Sequence, residues 1–88
     1  MLEQNLDNMI TSVEQQMTLV KLKLKATKKE LKQIDKVSDN KYLDNDKIEQ
    51  DKTRLANEIS ELDIRIYKLK KILYRLRVCR NILNNDDI

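Results

Sequence analysis

Between Leu55 and Leu83 the apolar residues return in steps of four and three, at Leu55, Ile59, Leu62, Ile66, Leu69, Leu73, Leu76 and Leu83. That spacing is a heptad seam, with Ile59, Ile66 and Leu73 at a and the leucines at d. A helix with such a seam is not stable alone in water. It must bury the stripe against a second helix, so the partner of this stretch decides the fold.

The first half of the chain offers one. Leu6, Ile10, Val13, Met17, Val20, Leu24, Thr27, Leu31 and Ile34 repeat the same steps, with Ile10, Met17, Leu24 and Leu31 at a. Val20 to Lys25 alternates apolar and basic residues with a strand's period of two, but the heptad runs through it unbroken. The chain has no Gly and no Pro, so nothing interrupts a helix sterically.

From Val37 to Asp46 the heptad positions are polar, and Asp46 to Glu49 resembles a capping box with Asp in the Ser/Thr place. Asn40 and Asn45 are candidates for the left-handed residue that ends a helix. The pattern predicts helix 3–36, turn 37–45, helix 46–83 and a frayed tail 84–88, forming one all-α domain. Against the turn stands one fact: both halves share a heptad phase, as a single unbroken helix would. Two such straight helices paired head to tail are the competing architecture.

Charge separates the arrangements. In a parallel dimer, g-to-e pairs would set Lys23 against Lys28, Glu30 against Asp35, Asp44 against Glu49, Glu58 against Asp63 and Arg65 against Lys70, all repulsive. An antiparallel pairing centred on Leu43 stacks Ile10 on Leu76, Val13 on Leu73, Met17 on Leu69, Val20 on Ile66 and Leu24 on Leu62. Its flanking pairs Asp7–Arg77, Glu14–Lys70 and Lys21–Asp63 attract, while Lys23–Arg65 and Glu30–Glu58 repel. Exposed pairs are worth a few tenths of a kcal/mol each, yet five unopposed repulsions disfavour the parallel form. An antiparallel coiled-coil helical hairpin is the expected fold.

The same residues narrow the function. The chain has no His for proton transfer near neutral pH and no glycine loop for phosphate. Cys79 is the lone cysteine, expected as a half-buried small hydrophobe near Arg77 and Arg80. The acids Asp39, Asp44, Asp46 and Glu49 lack the glycine and ligand spacing of a calcium loop. No catalytic, cofactor or metal site is expected. Ser60-Glu61-Leu62-Asp63 resembles part of the Ser-Gln-Glu-Leu-Asp motif of small helical-hairpin aspartyl-phosphate phosphatases. The Gln is missing and the seam already explains Leu62, so no family follows. With no membrane-length apolar run and an acidic N-terminus lacking a signal core, the chain reads as soluble and intracellular.

What the seam does not explain lies outside it. Ile64, Tyr67, Tyr74, Val78 and Ile82 occupy b, c and f positions of the second helix, and Leu19 and Leu22 lie outside the seam of the first. A plain two-stranded coil keeps such positions polar. They are expected to form a docking surface, with Lys71 among them, for a second copy (a homodimer or four-helix bundle) or for a helical protein partner. The alternative is a nucleic-acid site built from Lys68, Lys71 and Arg75 with Tyr67 and Tyr74 for stacking. Membrane insertion is not expected, because the seam already occupies the apolar face.

Overall fold

The structure, a computed structural model that describes residues 2–37 and 45–85, is two long helices packed side by side. α1 spans Leu2–Val37 and α2 spans Asn45–Asn85. The molecule is a rod of 70 × 15 × 14 Å. The N-terminal end of α1 lies against the C-terminal end of α2, as the Asp7–Arg80 contact shows, so the chain folds back on itself. This closes the seam within one molecule, and the head-to-tail pair of unbroken rods is set aside.

Both helices run slightly beyond the sequence boundaries. α2 continues two residues past Leu83, through Asn84 and Asn85 of the expected tail. It also begins at Asn45, so Asp46 stands inside the first turn rather than at a cap. A negative charge there complements the helix dipole. Asn45 is helical, and no described residue has positive φ. The expected turn, including Asn40, otherwise falls at residues 38–44, outside the described residues. The stretch Val20 to Lys25 is helical throughout.

The core follows the seam. Ile10, Met17 and Val20 of α1 bury against Leu62, Ile66, Leu69 and Leu73 of α2, with Val13, Leu24 and Leu76 packed on the edge of this cluster. Removing each such side chain from water contributes about 1.5–3 kcal/mol before entropy is charged against it. Leu55 is the most sheltered of the described residues, 1% exposed, yet it lies outside that continuous cluster. Thr27 accounts for the gap. It is buried at a d position, and its hydroxyl donates to the carbonyl of Lys23 at 2.8 Å. The bond satisfies the hydroxyl locally, so a polar side chain in the seam costs little there. Ile59, which the Leu43-centred register sets opposite Thr27, is only part-buried.

Two ion pairs hold the register. Lys52 Nζ lies 3.2 Å from Asp35 Oδ1, and Arg80 Nη1 lies 3.3 Å from Asp7 Oδ1. Asp7 and Asp35 are four heptads apart, and so are Lys52 and Arg80. The two helices therefore keep step along the whole seam, in the register centred on Leu43. Lys52 and Arg80 occupy a positions that the apolar pattern alone skips over. Each is half-buried, with its stem along the seam and its charge turned out to an Asp of the other helix.

Candidate interaction surfaces

In this two-helix rod every fully buried described residue stands at a or d, and the two outer faces point in opposite directions. All the outer apolar residues singled out above are exposed. On α2 these are Ile64, Tyr67, Tyr74 at 71%, Val78 at 37% and Ile82; on α1 they are Leu19 and Leu22. They do not make one surface. Leu19 borders grooves with Thr11, Glu14, Gln15 and Thr18 and, at the helix junction, with Val20, Lys23, Leu62 and Arg65. None of the α2 outer residues lines either groove. Leu19 and Leu22 belong to the far side of the rod.

On α2, Tyr67 and Tyr74 share a shallow groove with Lys70, Lys71 and Arg75. The Lys71 ammonium sits 4.7 Å from the centre of the Tyr67 ring, one helical turn away. Such a contact is a cation–π interaction within the chain, and it occupies one face of a ring that is otherwise exposed. Lys68 does not line this groove.

The flanking ion pairs differ from the expected ones. Glu14 pairs with Arg77 at 3.7 Å rather than with Lys70, and Asp7 pairs with Arg80 rather than with Arg77. Among the described residues Lys21 and Asp63 form no ion pair. Long guanidinium side chains reach up to a turn along the helix and take the carboxylates first. Lys70 is thereby released to the tyrosine groove.

Those pairs seal one flank of the rod near the chain ends. The other flank there is apolar. Met9, Ile72 and Cys79 stand at consecutive g positions of the two helices, all exposed. Cys79, expected as half-buried, is exposed instead: its g position flanks the seam and keeps a side open to solvent in a two-helix rod. Met9 and Ile72 were not singled out from the sequence, although the heptad frame that defines the seam also assigns them to its edge. Ile82 adjoins this flank from its c position, so it extends the outer face of α2 around toward Ile72.

No described residues form a His, Cys, Asp or Glu group suited to a metal ion, and no described helix is long and apolar enough to cross a membrane. Ser60, Glu61 and Asp63 are exposed while Leu62 is buried in the seam. No protein-family model, curated protein or solved structure matches the chain.

Proposed function

We propose that the hairpin is a non-enzymatic interaction module, whose apolar surface on the α2 side docks a second copy or another helical protein. One observation supports this above all. The heptad seam is closed inside the chain, yet among the described residues ten large apolar side chains are exposed against eight apolar side chains buried, and six of the ten belong to α2. Single exposed apolar residues need no explanation, but the six on α2 fall within one stretch, Ile64 to Ile82, and such a run is the mark of a surface that is covered in use. Ile64, Tyr67, Tyr74, Val78 and Ile82, continued by Ile72, supply a strip along the outer and g sides of α2. A helix laid along it completes a three- or four-helix core of ordinary geometry.

The nucleic-acid reading of the same face has one observation in its favour, the groove shared by Tyr67, Lys70, Lys71, Tyr74 and Arg75. Its weakness is that Lys71 already caps Tyr67.

Light scattering at low and high salt tests the choice, alone and with candidate helical partners. Docking through apolar contacts survives salt and is lost on Tyr67→Glu or Val78→Glu, because each buries a charge without a partner. Association that disappears in high salt and in a Lys68/Lys71/Arg75→Ala triple variant, while tolerating Val78→Glu, contradicts the docking reading.

A further inference from the structure

α1 carries a second surface of a different kind. Asp7, Glu14, Lys21, Lys28 and Asp35 form one e-position row on α1. The three acids of that row are each ion-paired to α2, so the row borders α2 along its length. Lys21 and Lys28, between the clasped acids, are exposed and have no ion pair among the described residues. Behind them Lys25, Lys29 and Lys32 extend the charge, and Lys25, Lys28, Lys29 and Lys32 line one shallow groove. The register sets Ala56 opposite Lys28 and Asp63 opposite Lys21. On α1 itself Asp35, three residues past Lys32, is paired to Lys52, and Glu30 stands at g, on the opposite flank of the helix. Glu58 and Glu61 of α2 also face that flank, where they share a groove with Lys23 and Arg65.

We propose that this lysine strip binds the phosphate backbone of double-stranded nucleic acid, without regard to sequence. The five ammonium groups of the strip lie within the 12 residues from Lys21 to Lys32, or roughly 16 Å of helix, beside a ligand with about one charge per 1.7 Å of its axis. The strip has no aromatic side chain, so it lacks the stacking platform that single strands use. It has no Arg, Asn or Gln among its members to read base edges, and lysine acts as a point charge. Its large apolar neighbour is Leu22 at the rim, too little to insert into a lipid surface. Within the fold the strip is a liability, because Lys21–Lys25, Lys25–Lys29 and Lys28–Lys32 are like-charged pairs one turn apart. A ligand that neutralises them converts that repulsion into affinity. The strip lies on α1 toward the connecting end, and the docking surface lies on α2 toward the chain ends, so the two are independent.

The test is fluorescence anisotropy of a labelled duplex with the full chain as salt rises from about 50 to about 200 mM. Four or five phosphate contacts predict a fall in affinity of roughly 100- to 500-fold over that range. A Lys25/Lys28/Lys29/Lys32→Gln variant loses binding more than tenfold at the lower salt, and it melts at a higher temperature than the parent because the repulsion is gone. Replacement of the same four residues by Arg keeps binding. The opposite signs of the Gln effects on binding and on melting separate a ligand site from a structural one. No binding at the lower salt, unchanged binding in the Gln variant, equal loss in the Lys68/Lys71/Arg75→Ala variant, or tighter partition onto phosphatidylserine vesicles than onto duplex each overturns the proposal. Neither the Gln nor the Arg variant touches the apolar strip, so failure here leaves the docking reading to its own test.

Discussion

Lys52 occupies an a position of α2 and meets Asp35 of α1 at 3.2 Å, with a second, longer contact to Glu49 of its own helix at 3.8 Å. Its side chain is 26% exposed while that of Asp35 is 59% exposed. A cation placed in the seam at one end, matched by Arg80 at the other, limits how the helices slide. A slip of one heptad would carry both cations away from their acids.

The pair is half in solvent, so its energy is small. Asp35→Ala is expected to cost no more than about 1 kcal/mol in urea unfolding, and less as salt is added. Lys52→Leu is expected to be neutral or stabilising by about 1 kcal/mol, since it extends the apolar seam. A loss above about 2 kcal/mol for Lys52→Leu would mean that the ion pair, rather than its alignment, supports the fold.

Thr27 gives a second prediction. Its hydroxyl bonds a carbonyl of its own helix, so Thr27→Val removes a local bond while putting a methyl in place of the hydroxyl in the layer between Leu55 and the main cluster. The expected gain is up to about 1 kcal/mol, read from the thermal or urea midpoint. A destabilised Thr27→Val protein contradicts the description of Thr27 as an isolated polar layer.

Core and outer face should respond to truncation by different amounts. Leu62→Ala and Leu69→Ala are expected to cost about 2–4 kcal/mol, as deletions from a packed core do. Tyr74→Ala is expected to stay within about 0.5 kcal/mol for the isolated chain, since it touches little there. If Leu62→Ala leaves unfolding unchanged, the seam is misassigned.

The hairpin was legible because the heptad survives every interruption, including the alternating Val20 to Lys25 stretch, and because parallel pairing repels. The ion-pair partners were not. Heptad bookkeeping matches positions at one level, whereas Arg77 reaches a turn along to Glu14. Lys52 and Arg80 were passed over because an apolar search ignores a charged residue at a, although their 28-residue separation fits the frame. The surfaces were half legible. The apolar excess on α2 stands out in the sequence, but Leu19 and Leu22 lie on the other side of the rod. The lysine strip emerges only once Lys23 is seen to face the acids of the other flank.

The core, the ion pairs and both surfaces depend on closure of the seam within one chain. Cysteines at Val13 and Leu73, opposed in the Leu43-centred register, test this directly in a background with Cys79 replaced by Ser. Oxidation at high dilution is predicted to give a monomeric, intramolecular Val13Cys–Leu73Cys crosslink. Crosslinks that form only between chains, or between Val13Cys of one chain and Val13Cys of another, would contradict the hairpin.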